Sequence, residues 1–105
     1  MNQKTFDKSV AAQLAICEDV LLSKGSEYAL DSDRLSHFKR SASLMGCSVK
    51  QAIFNMLAKH IISISDMVAS DQKFSRERWS EKITDAINYL IILRATVMEE
   101  LHEED

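Results

Sequence analysis

Apolar residues recur in steps of three and four along most of the chain. Phe6, Val10, Leu14, Cys17 and Leu21 form the first such series, with Val20 and Leu22 beside it. That spacing is the period of an amphipathic helix. Lys24 in the last turn and Gly25 behind it form a stop signal, so the pattern predicts a helix over about 4–24. A polar loop of cap-type residues follows, from Ser26 to Asp33. Asp31 or Ser32 is placed to cap a second helix over about 33–45, with Leu35, Phe38, Ala42 and Met45 inward and Gly46 as its end. Ser48 and Gln51 have the spacing of a capping box and open a third helix over about 49–69. Its inner stripe is Ile53, Leu57, His60/Ile61, Ile64 and Val68. Ser70 to Ser75 is a polar connection. A fourth helix over about 77–102 then turns Ile83, Leu90, Val97 and Leu101 inward. Glu99 to Asp105 puts five acids at its C-terminus. The helix macrodipole disfavours them there, so that end is expected to fray.

Four helices on short connections predict a single all-α domain over 1–105, a four-helix, bundle-like fold. Two of the helices are apolar on more than one side. Ile62 falls outside the main stripe of the third, and Ile92 lies only about 20° from the line of Glu81 on the fourth. A helix with two apolar faces must bury both. The expectation is a homo-oligomer joined through helix faces, most simply a two-fold dimer. Composition narrows the alternatives. The absence of proline and the presence of only two glycines exclude a turn-rich β-sandwich or barrel. No glycine-rich phosphate loop is present either. Thirteen basic against sixteen acidic side chains leave a net charge of −3, without the basic face that duplex nucleic acid requires. No uninterrupted apolar run reaches about 18 residues and no signal-like region opens the chain, so a cytoplasmic location without a membrane partner is expected. Cys17 and Cys47 are too few and too isolated for a zinc site, and both are expected to be free, Cys17 as core packing.

Three features could carry chemistry. On the fourth helix Glu81, Asp85 and Asn88 stand at i, i+4 and i+7, with Thr84 at the edge of the strip. Carboxylates so spaced can share a magnesium ion, since hard cations take several oxygens from rigidly presented side chains. A plain solvated face is the alternative, but this strip runs on into Ile92 and Ala95 rather than into more charge. On the third helix Asn55, Lys59, Ser63 and Asp66 form a second strip. Lys59 is a point charge suited to phosphate and Ser63 a neutral donor beside it, unless Lys59 only pairs with Asp66 or Glu81. The third feature is the loop with Lys24, Tyr28 and Arg34. Tyr28 offers a face for a base, and Arg34 opposes the dipole of the helix it opens, which fits either an anion site or a salt bridge to Asp31 or Glu27. Trp79 is read as the anchor of the fourth helix, with base stacking the lesser alternative. His37, His60 and His102 lack metal-ligand spacing, and His60 reads as a packing residue. No nucleophile–histidine signature supports covalent catalysis.

The ordered set Lys-Gly-Ser-Glu-Tyr (24–28), Asp-Arg-Leu-Ser-His-Phe (33–38), Gly46, Met-Leu-Ala-Lys-His (56–60) and Trp-Ser-Glu-Lys-Ile-Thr-Asp-Ala-Ile-Asn-Tyr-Leu (79–90) resembles a known family. It looks like the small, often phage-encoded proteins related to the MazG-like all-α nucleotide pyrophosphohydrolases, including the nucleotide-modification-associated group. The likeness covers roughly residues 20–95, and Glu-x-x-x-Asp-x-x-Asn-Tyr is its most specific part. The resemblance implies an obligate helical oligomer, a nucleotide pocket between helices and Mg²⁺ on acidic helix faces. Glu81 and Asp85 match the second metal motif of such enzymes. The first, Glu-x-x-Glu, is missing, and Lys59, His60, Ser63 and Asp66 stand in its place. Three acids then remain as metal ligands, Asp66, Glu81 and Asp85, which puts hydrolysis in doubt.

Two functions follow as expectations. One is a nucleotide-binding enzyme, with phosphates on Lys59 and Arg34 and Mg²⁺ on Glu81 and Asp85, which would act as the catalytic pair. The other is a sponge without catalysis that sequesters a nucleotide or cyclic nucleotide signal in counter-defence, using Lys59, Arg34 and Tyr28. A protein–protein inhibitor acting through the second apolar face ranks behind both.

Overall fold

The capping chemistry at Ser48 starts the central helix. The Ser48 hydroxyl accepts from the Gln51 backbone N–H at 3.1 Å, and the Gln51 side chain accepts from the Ser48 N–H at 3.0 Å. Both halves of the box are present, and α3 runs Val49–Ala69, the range the periodicity predicts. A computed structural model describes the backbone of residues 1–28 and 33–101 and the side chains of residues 1–23 and 33–101. The other elements are α1 (Gln3–Tyr28), α2 (Ser36–Met45) and α4 (Arg76–Leu101), with no strand among the described residues.

The two glycines behave differently. Gly46 takes a left-handed conformation (φ 66°), donates to Ser43 O at 3.3 Å, and lets Cys47 N reach Ala42 O at 3.0 Å. Those bonds close the last carbonyls of α2 as a Schellman-type cap. Gly25 does not stop α1, which continues to Tyr28. Glycine inside a helix costs roughly 1 kcal/mol against alanine, too little to end a helix unless the backbone also turns left-handed. α2 begins three residues later than the pattern predicts. Asp33 forms the turn before it, its carboxylate accepting from Leu35 N at 2.9 Å and its carbonyl from Ser36 N at 3.1 Å. The expected caps Asp31 and Ser32 lie outside the described residues. At α4 the Ser75 hydroxyl accepts from Arg78 N at 3.1 Å, and Trp79 meets Phe74 edge-on at 6.0 Å, the anchoring role expected of it.

α3 and α4 form an antiparallel pair. Lys50 at the start of α3 meets Glu100 at the end of α4 at 3.1 Å, and Lys39 of α2 meets Glu99 at 3.5 Å. These two acids are therefore paired and α4 runs to Leu101; the rest of the tail expected to fray, 102–105, lies outside the described residues. α1 leans on α4, where the Gln13 amide donates to Thr84 Oγ1 at 2.8 Å. The buried apolar residues are Cys17, Leu35, Ala42, Ala52, Ile53, Leu57, Met67 and Ala86. Both cysteines are free, Cys17 buried as expected.

The orientation of α4 corrects the sequence expectation. Its buried residues are Thr84, Ala86, Asn88 and Thr96, while Ile83, Leu90 and Leu101 are exposed and Val97 is half-buried. The helix is turned so that Thr84 and Asn88 of the candidate polar strip are buried and Asp85 is half-buried, while Glu81 stays exposed. Small side chains on that side suit close helix approach better than the branched line through Ile83 and Leu90. Other predicted core positions also lie outside. Phe6, Val10 and Leu14 of α1, Met45 of α2, and Ile61 and Val68 of α3 are exposed. Phe54, Ile61 and Val68 recur every seven residues and form one uncovered line on α3. By length and composition α3 would also suffice to cross a bilayer, although polar residues interrupt its apolar run.

Candidate functional site: a hollow between all four helices

Turning α4 this way places its polar strip over a hollow. A cavity of about 370 Å³ lies between Val20 and Leu21 of α1, Arg34, His37, Phe38 and Ser41 in and before α2, Met56 and His60 of α3, and Asp85, Asn88, Tyr89 and Ile92 of α4. Its size is within the roughly 300–1,000 Å³ of small-molecule sites. Much of its wall is aromatic. Tyr89 stacks on His60 (5.1 Å between ring centres, 26° between planes) and meets Phe38 edge-on at 6.3 Å, and Phe38 in turn meets His37 edge-on at 5.8 Å. Such ladders fix ring positions and give the wall a flat, polarisable character.

Three polar groups interrupt this wall. Arg34 is exposed at the rim, one Nη donating to Leu21 O at 3.1 Å, which ties the turn before α2 to α1. That turn is held by its neighbour. The Lys39 ammonium reaches the Asp33 carboxylate at 2.6 Å. This hydrogen bond, with the Leu35 N–H, holds the Asp33 carboxyl below its ordinary value and raises the Lys39 ammonium above its own. Asp85 is half-buried in the wall and makes no ion pair with Arg34. Asn88 is the deepest of the three, 5% exposed, and neither its Nδ2 nor its Oδ1 has a hydrogen-bond partner. A buried amide left unpaired costs about 1–3 kcal/mol, so such a group calls for an explanation.

A second, more open groove adjoins the first. Ile16 and Val20 of α1 face Arg76, Glu77, Ser80, Glu81, Thr84 and Asp85 of α4 across it. Val20 and Asp85 border both hollows.

The residues predicted from sequence separate into groups. Arg34, Asp85 and Asn88 come together at the cavity, and Glu81 lies exposed in the adjoining groove beside Asp85. Lys59 and Asp66 are exposed, Ser63 is half-buried, and none of the three lines either hollow. Lys59, expected to hold phosphates, does not line the cavity, to which α3 offers Met56 and His60 instead. Position 59 is about 100° around the helix from 60, which carries its side chain to the rim of the buried arc and into water. The side chains of Lys24 and Tyr28 lie outside the described residues. Ile92, expected on an outer face, is half-buried in the cavity wall. The sequence reading missed the ladder itself. Tyr89 and His60 look like ordinary helix residues until the two helices are docked, although Tyr89 adjoins Asn88 in the most specific motif.

Magnesium, implied by the resemblance, finds Glu81 and Asp85 on one groove but not Asp66. Among the described residues no three His, Cys, Asp or Glu side chains converge as a metal set. The donors present do not make the site that was expected. Comparison of the chain with protein-family models, with curated proteins and with solved structures finds no match.

Proposed function

We propose that the protein is a homo-oligomeric nucleotide-binding protein, akin to the MazG-like group, that holds a nucleotide in the cavity between its helices. The observation that carries this reading is a hollow of about 370 Å³ with an aromatic wall and two charges of opposite sign, Arg34 and Asp85, that form no ion pair among the described residues. Nucleotides carry the matching features: a flat base with N–H donors at one end and an anionic phosphate at the other. The phosphate group belongs with Arg34, whose guanidinium keeps donors free beyond its bond to Leu21 O. Binding of this kind needs no metal, and the missing third carboxylate favours retention of the ligand over hydrolysis. In an infected cell, such a protein would act as a sponge for a nucleotide signal.

Assembly is supported by area. The chain exposes 7806 Å², whereas a folded monomer of 11.9 kDa exposes about 6,000 Å². Its radius of gyration is 15.8 Å against about 13 Å for a compact domain of this length. The excess, roughly 1,800 Å² per chain, is what a subunit of a large obligate interface covers. The exposed lines Phe6–Val10–Leu14 on α1 and Phe54–Ile61–Val68 on α3 supply its apolar surface.

The test is calorimetric titration with nucleoside triphosphates and cyclic dinucleotides, with and without Mg²⁺, followed by chromatography of the recovered ligand. Saturable binding without Mg²⁺, weakened at least tenfold by Arg34→Ala, with the ligand returned intact, supports the reading. Mg²⁺-dependent release of pyrophosphate, lost in Glu81→Gln, would transfer it to the hydrolase. Absence of binding to any nucleotide would end it.

A further inference from the structure

Asn88 and Asp85 stand three residues apart on α4, on one side of the helix, and both line the cavity. The Asn88 carboxamide is 95% removed from solvent, and both of its polar atoms are unpaired. Asp85 beside it is a pure acceptor, with two oxygens able to take two parallel N–H donors. Standing about one turn apart on that side, the pair offers the cavity a donor, Asn88 Nδ2, and two acceptors, the Asp85 oxygens. Few flat ligands carry the complement of an acceptor followed by two adjacent N–H donors along one edge. Guanine does, through O6, N1–H and N2–H. Adenine presents a single amino donor beside a ring acceptor, and cytosine likewise, so either would leave one Asp85 oxygen facing a lone pair.

Resting on the nucleotide reading above, we infer that the cavity selects a guanine-type base, with Asp85 accepting from N1–H and N2–H and Asn88 donating to O6. Tyr89, stacked on His60 and held edge-on by Phe38, gives the base an aromatic boundary. Arg34 at the rim takes the phosphate side. This places the base inside and the phosphates outside, and it gives Asp85 a base-reading task in place of the metal-binding one. A site whose buried polar groups are matched by the right ligand rejects one that leaves them unpaired, which is how a small difference on a base edge becomes selectivity.

The experiment is a calorimetric comparison of the triphosphates of guanosine, inosine, adenosine and xanthosine on the wild type, Asp85→Asn and Asn88→Ala. The wild type is expected to bind GTP at least tenfold more tightly than ITP, which lacks the N2 donor, and more tightly again than ATP. Asp85→Asn, nearly isosteric, replaces one acceptor by a donor. It should weaken GTP at least tenfold and favour XTP, whose O2 accepts from the new amide. Asn88→Ala should narrow the GTP-over-ATP ratio while the thermal midpoint holds, because it removes an unsatisfied amide. Equal affinity of the wild type for all four triphosphates overturns the inference and leaves nucleotide binding standing. An Asp85→Asn variant with unchanged preference also overturns it. If none of the four binds and no other nucleotide does, the parent reading has failed and this one with it.

Discussion

Leu14 offers the sharpest test of how the chain completes its burial. It is 61% exposed on α1, in line with Phe6 and Val10, which are also exposed. Fully burying a leucine is worth about 1.5–3 kcal/mol, so the uncovered part of this side chain represents about 1–2 kcal/mol awaiting a cover. In a two-fold assembly the residue counts twice. Leu14→Ala should then weaken dimerisation by about 2–4 kcal/mol, roughly a 30- to 700-fold rise in the dissociation constant. Leu14→Glu should abolish it, because a carboxylate would be left in an apolar seam without a partner. Neither change touches the buried core of the single chain, so helical circular dichroism should be kept. Sedimentation velocity across a concentration series reads the association directly. A wild type that sediments as a monomer far above micromolar concentration would refute the reasoning. So would a Leu14→Glu variant that assembles like the wild type.

Ile53 is 0% exposed, and Ile53→Ala should destabilise the protein by about 2–5 kcal/mol. At equal protein concentration that lowers the thermal midpoint by roughly 8 °C or more, and an unchanged midpoint would show that α3 is not the centre of the core. Gly46→Ala should cost about 1 kcal/mol in denaturant unfolding, since φ is 66° although an added Cβ meets nothing within 4 Å. Gly46→Asn should cost less, and equal losses would point to packing instead of backbone strain. The Asp33–Lys39 pair makes the turn carrying Arg34 sensitive to pH at both extremes. The depressed Asp33 carboxyl contributes stability that is present above its ordinary 3.8 and lost as pH falls through the lower folded value. The raised Lys39 contributes stability that is present below 10.5 and lost as pH rises through the higher folded value. Asp33→Asn should flatten the acid limb of a stability-against-pH curve, and an acid limb identical to the wild type would contradict that assignment.

The elements were legible in the chain because their signals are local. The Ser48–Gln51 box and Gly46 mark boundaries through bonds made within a few residues, and the start of α3 and the stop of α2 follow from them. Signals that depend on a neighbour carried less. Gly25 has the composition of a stop but no left-handed turn, and α1 runs past it. Half of the candidate site was also visible. Charge and spacing single out Arg34, Asp85 and Asn88, which meet at one cavity, and equally Lys59, Ser63 and Asp66, which do not. Spacing tells which residues share a side of a helix and says nothing of which side its neighbour covers.

What the sequence determined alone is therefore the all-helical class, the element boundaries set by caps, and the pairs of faces each helix possesses. Only the tertiary structure decided which face of α4 turns inward. A hydrophobicity rule applied to one helix puts Ile83 and Leu90 inside, yet Thr84, Ala86, Asn88 and Thr96 are buried there. The physical reason is that burial belongs to pairs of surfaces. The small polar side of α4 meets α1 through Thr84 and lines the hollow through Asn88, while Ile83 and Leu90 are left outward.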